Sequence, residues 1–199
     1  MGVRIDFYTT SDSSTLKNLI FQEYPKFREW MLNIENEFPQ EFSPRLIDLI
    51  QNNQSINIEF LNKKNQGLID QLVCEFLISY CESDEKNKKL IKNHGPSIHP
   101  MRYKNDLSII AEVFDKEILN LIQFLFNGRS LKDGKTYFDP ENEYKVGYWT
   151  KSEQNLLLDR FTEYYENAKL KAENIGTLSI IETLKNTSKL DNELLFTNG

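Results

Sequence analysis

Gly147-Tyr148-Trp149-Thr150-Lys151-Ser152-Glu153, running on into Leu156, Leu157, Phe161, Tyr164 and Tyr165, constrains this chain more than any other segment. It predicts an extended aromatic lead-in followed by an amphipathic helix with a fixed start. Thr150 can accept from the backbone N–H of Glu153, while the Glu153 carboxylate reaches back to the N–H of Thr150. Two donors that a helix start leaves without an intrahelical partner are satisfied in this way. The signal is architectural: it specifies a strand-to-helix corner and carries no chemistry.

A chain of 199 residues with 39% hydrophobic content can bury one good core, or two small ones sharing an interface. Its 13 Phe, 9 Tyr and 2 Trp are enough to dominate that core. The net charge of −6 favours solubility and argues against sequence-independent binding to nucleic acid. A basic partner fits this balance better than an acidic one. Arg4 and Asp6 fall where a secretory signal would need an apolar run. The most apolar stretch, Ile109 to Phe126, is interrupted by Glu112, Asp115, Lys116, Glu117, Asn120 and Gln123. A membrane span needs roughly 20 predominantly apolar residues, so the expectation is a cytoplasmic protein with no membrane partner. Cys74 and Cys81 lie on one predicted helix with Cα atoms about 10.5 Å apart, too far for a disulfide. They are expected to be small buried hydrophobes in a reducing compartment.

Val3, Ile5 and Phe7 alternate with Arg4, Asp6 and Tyr8, the period of a half-buried strand. Caps in Ser11-Asp12-Ser13-Ser14 lead to a helix carrying Leu16, Leu19, Ile20 and Phe21. Pro25 either kinks that helix or starts a second one bearing Phe27, Trp30, Met31 and Ile34. Ser43-Pro44 marks another helix start, and residues 55–61 read as a short strand through Ile56, Ile58 and Phe60. Ile69 to Tyr80 has helical periodicity, residues 82–92 read as a solvated link or surface helix, and residues 106–127 as one strongly apolar helix stopped by Asn127-Gly128. A helix through Leu178, Ile181 and Leu184 and a last strand at Glu193-Leu194-Leu195-Phe196 complete the chain. The expected fold is α+β: a predominantly helical single domain over 1–199, with a small sheet including the N-terminal strand.

Met1-Gly2 leading the first strand and a Ser-rich helix start, together with Gly147-Tyr148-Trp149-Thr150 leading to Glu153, resemble features of the YfbM-type group of bacterial proteins. The resemblance covers a minority of the chain and consists of strand and capping residues. It implies an α+β cytosolic fold, brings no activity with it and transfers no functional residue; residues 25–130 lie outside it.

Two sets of residues are candidates for function. Glu35, Glu37, Phe38 and Glu41 form one acidic and aromatic group, and Tyr137, Phe138, Asp139, Glu141, Glu143, Tyr144, Tyr148 and Trp149 form another. Aromatic anchors supply affinity and acidic groups steer a basic partner. A core edge beside a solvated loop is the simpler reading of the same residues. The alternative is an enzyme or small-ligand site in the His94–Lys104 loop, using His94, His99, Arg102 and Tyr103. Two histidines bind a metal when a carboxylate or thiolate joins them, but their spacing fits no zinc signature; loop-packing histidines are the simpler reading. No nucleophile elbow and no phosphate-cradling glycine loop is present. No catalytic residue, metal or cofactor is therefore assigned. The leading expectation is a non-enzymatic binding protein of the acidic, immunity type that neutralises a basic bacterial toxin; homo-oligomerisation is compatible with the composition.

Overall fold

A computed structural model describes residues 3–12, 15–56, 66–137, 143–167 and 175–199. Four antiparallel strands form a sheet in the order β2-β1-β4-β3. They are β1 (Ile5–Thr10), β2 (Ile91–Asn93), β3 (Lys145–Trp149) and β4 (Leu194–Asn198). The helices are α1 (Leu16–Glu37), α2 (Pro44–Asn52), α3 (Gln66–Cys74), α4 (Cys81–Ser83), α5 (Pro100–Ile110), α6 (Lys116–Asn127), α7 (Lys151–Glu166) and α8 (Ile175–Thr187). A π-helical stretch, Glu75–Tyr80, joins α3 to α4, and a 3₁₀ turn at Asn87–Lys89 precedes β2. The fold is α+β and predominantly helical, with the N-terminal strand in the sheet.

Helices cover both faces of the sheet. On one face Tyr8, Val146 and Leu195 meet α1, α2 and α3 through Leu16, Ile20, Phe27, Leu46 and Val73. On the other face Ile5, Phe7, Trp149, Leu194 and Phe196 meet the second set of helices through Ile118, Leu121, Leu157, Phe161 and Ile180. Every residue of β1 and β4 is buried as a result. The half-buried strand expected from period two in β1 is therefore corrected. Of the intervening polar-looking positions, Tyr8 enters a second core and Asp6 is buried with its carboxylate accepting from Ser97 Oγ.

Local chemistry explains most boundaries. The capping box forms as the residue types dictate: the Thr150 side chain accepts from Glu153 N, and Glu153 Oε2 accepts from Thr150 N at 2.8 Å. Ser43 caps α2 with Pro44 in its first turn. Gly128, at φ 73°, stops α6, donating to Phe124 O at 2.9 Å. Pro25 lies inside an uninterrupted α1, so it neither divides the segment nor starts a new helix. The single helix expected over 106–127 is instead two. Asp115 accepts from Ile118 N at 3.0 Å and starts α6 afresh after α5 has ended.

The sheet also differs in membership. Residues 57–65, which hold most of the strand expected at 55–61, lie outside the described residues. β2 overlaps the end of the segment 82–92 read as a solvated link or surface helix, and Ile91 is its buried residue. β4 is an inner strand between β1 and β3, pairing Phe7 with Phe196 and Gly147 with Phe196 across one row. Cys74 and Cys81 are both buried and unbridged. No helix among the described residues is long and apolar enough to cross a membrane.

Candidate functional site

The connection between α1 and α2 is held by one carboxylate. Glu35 accepts from Gln40 N at 2.8 Å through Oε1 and from Phe42 N at 3.3 Å through Oε2. That closure supports Gln40 in a left-handed conformation, φ 75°. It turns Phe42 into the core against Trp30, their ring centroids 6.3 Å apart. Phe38 is left outside at 60% exposure, with Glu37 and Glu41 exposed beside it. Glu35 is thus a structural member of the first acidic group, while Glu37, Phe38 and Glu41 remain available for contact.

The start of β3 approaches the same region. Cys74 at the end of α3 lies 3.8 Å from Lys145 O, tying that helix to the strand. Glu75 follows at the start of the π-helical stretch, its carboxylate accepting from Ser79 Oγ at 2.9 Å. Burial pushes the Glu75 carboxyl above its usual range, and the negative charge of Glu41 adds to the rise. Tyr144 is likewise raised, first by burial and then by Glu75, Cys74 and Glu143. Glu75 thus feels the charge of Glu41, and Tyr144 feels those of Glu75 and Glu143, across three separated segments. Glu75 is the member that sequence inspection missed. On a helix otherwise read as apolar, its only signal was a carboxylate at the edge of the stripe.

Other members of the second group lie elsewhere. Tyr148 is four residues along β3 from Tyr144, about 13 Å at strand spacing. Its ring is covered by the Arg129 guanidinium at 4.5 Å, and the same guanidinium lies 4.7 Å from the Phe124 ring. Trp149 is fully buried, stacks on Phe7 and donates from Nε1 to Leu121 O at 2.9 Å. Its expected place in a contact surface is corrected: alternation along β3 sends it into the core. Tyr137 Oη donates to Asp133 on the neighbouring loop. Phe138, Asp139 and Glu141 lie outside the described residues.

In the His94–Lys104 loop the described candidate residues occupy different surroundings. His94 is buried, its Nε2 2.7 Å from Thr9 Oγ1, and burial lowers its pKa, with Lys92 adding to the drop. Its backbone N–H donates to Phe7 O, extending the β1 pairing. His99 caps α5, with Nδ1 accepting from Met101 N at 3.3 Å. Tyr103 is fully buried and stacks on Phe126 with ring centroids 5.8 Å apart; the Arg102 side chain lies outside what is described. The two imidazoles are thus engaged in separate structural contacts. Among the described residues, no three His, Cys, Asp or Glu side chains gather closely enough to hold a metal ion.

No family model, curated protein or solved structure matches this chain.

Proposed function

We propose that this protein is a non-enzymatic binding module that docks a basic protein partner on the surface formed by Phe38, Glu41, Glu75, Glu143 and Tyr144. The observation that carries the reading is exposed Phe38 beside exposed Glu41, whose N–H donates to Phe38 O at 3.1 Å, with Glu41 adding to the burial that raises the Glu75 carboxyl. A carboxylate whose charge is disfavoured by burial and by a like neighbour gains when a lysine or arginine arrives. An exposed aromatic at the rim supplies apolar contact area. Neutralisation of a basic bacterial toxin in the cytoplasm is the finer form of this proposal, supported by the net charge of −6. Such attraction accelerates encounter and weakens with salt.

The test is site-specific photocrosslinking in native cytosol. A photoreactive residue replacing Phe38 is expected to give one adduct with a basic protein, fading as salt is raised. The same residue replacing Met101, exposed on α5, serves as the control. An adduct that forms equally from both positions, or none from Phe38, removes the proposal.

A further inference from the structure

The first turn of α1, the loop after α6 and the residue before β4 border a cleft of about 460 Å³. That volume lies within the range of small-molecule sites, roughly 300–1,000 Å³. Lys17, Phe21, Leu131, Lys132, Tyr148 and Glu193 line it. Phe21, Leu131 and Tyr148 are partly buried and pack on the core below, which gives the cleft an apolar floor. The Arg129 guanidinium lies over the Tyr148 ring, 4.5 Å from its centroid.

The charges around the cleft are unequal. Arg129 is committed to Glu153 at 2.6 Å. Glu193 is half-buried and lies within the influence of both Arg129 and Lys17. Asp133, on the same loop as Lys132, accepts from Tyr137 Oη and Lys135 N. Among the residues that line the cleft, two lysines from different elements accompany one carboxylate, on a chain of net charge −6.

We infer that the cleft binds a small organic anion, an aryl or alkyl group bearing a phosphate or carboxylate. The head group sits between Lys17 and Lys132, and the apolar body lies on Phe21, Leu131 and Tyr148. A lysine binds either head group as a point charge, so the two are separated by experiment. ¹⁵N-resolved NMR titrations with phenyl phosphate and with benzoate address this, with inorganic phosphate as the probe lacking an apolar body. Saturable shifts at the amides of Lys17, Leu131, Lys132 and Tyr148 are expected for at least one aryl anion, with a dissociation constant of about 1 mM. The stronger of the two identifies the preferred head group, and inorganic phosphate is expected to bind more weakly. Lys17→Met and Lys132→Met are each expected to weaken binding about fivefold, whereas Lys185→Met, in the depression between α7 and α8, leaves it unchanged. Lys132 is on an exposed loop, so its variant keeps the test open if Lys17→Met fails to fold. The inference is overturned if neither aryl anion gives saturable, localised shifts, if both lysine variants bind like the parent, or if inorganic phosphate binds as tightly as the stronger aryl anion.

Discussion

Arg129 Nη1 and Glu153 Oε2 meet at 2.6 Å, and the same carboxylate oxygen accepts from Thr150 N at 2.8 Å. One atom thereby closes the capping box of α7 and anchors the loop that follows α6. Arg129 adds a donation to Tyr148 O at 3.2 Å and one to Gly134 O at 3.3 Å. Glu153→Ala is expected to lower stability by about 2 kcal/mol, since it removes a cap and leaves a half-buried guanidinium without its carboxylate. Denaturant melts of the two proteins measure it.

The pH dependence of two carboxylates has opposite signs. Burial pushes Glu153 up, but hydrogen bonds from Arg129 and Thr150 pull it below its ordinary value overall. Its contribution is therefore present above the unfolded pKa and is lost as pH falls through the lower folded value. Glu193 is raised, by burial first, with Glu153 adding to the rise against Arg129. Its ionised form costs stability above the folded pKa, and that cost disappears below the unfolded one. Glu193→Gln is expected to raise the melting temperature at pH 7 and to leave it unchanged at acid pH, as thermal scans across pH will record.

Gly147 lies beneath the Phe196 ring. A Cβ at this position would come within 2.6 Å of one ring carbon and 3.0 Å of Arg129 N. Gly147→Ala is expected to cost about 2 kcal/mol through overpacking. Phe196→Leu in the same chain should recover part of that loss, and a double-mutant cycle reads the coupling.

Gln154 joins three elements from a fully buried position. Its Nε2 donates to Trp149 O at 3.2 Å and to Asn192 O at 2.8 Å, while its Oε1 accepts from Thr187 Oγ1 at 3.2 Å. Gln154→Leu fills the volume but strands those partners, at a cost of about 2–3 kcal/mol. Urea denaturation checks the figure.

Adjacency of the acidic residues is directly measurable. Burial is the main reason Glu75 is raised, and Glu41 adds to it. Glu41→Gln is therefore expected to lower the Glu75 pKa without changing the melting temperature, as followed by carboxyl NMR. An unchanged Glu75 titration would separate the two residues and weaken the docking proposal. Glu41→Lys is expected to reduce capture of a basic partner at low salt and to have little effect at high salt.

Local sequence was enough for the parts of the fold that local chemistry controls. The Thr150–Glu153 box, the Ser43-Pro44 start and the Gly128 stop each depend on atoms within a few residues, and each formed where its residue types put it. Asp115 was also a local signal, but the apolar periodicity of residues 106–127 concealed it. β2 escaped notice because three residues cannot display a period; its place is set by pairing with Tyr8, Thr9 and Thr10. For the candidate site, the exposed Phe38 and Glu41 were visible as residue types, whereas Glu75 and the separation of Tyr144 from Tyr148 were not.

By itself the order of residues determined where the α2 and α7 helices start, where α6 stops and which positions prefer to leave water, since capping and transfer energies act over one or two turns. Only the tertiary structure decided that β1 has two greasy sides, that Trp149 is core, that His94 meets Thr9, and that lysines from α1 and a distant loop share one cleft. Those outcomes depend on which surfaces meet after long loops have closed, and a half-dozen consecutive side chains carry no record of their future neighbours.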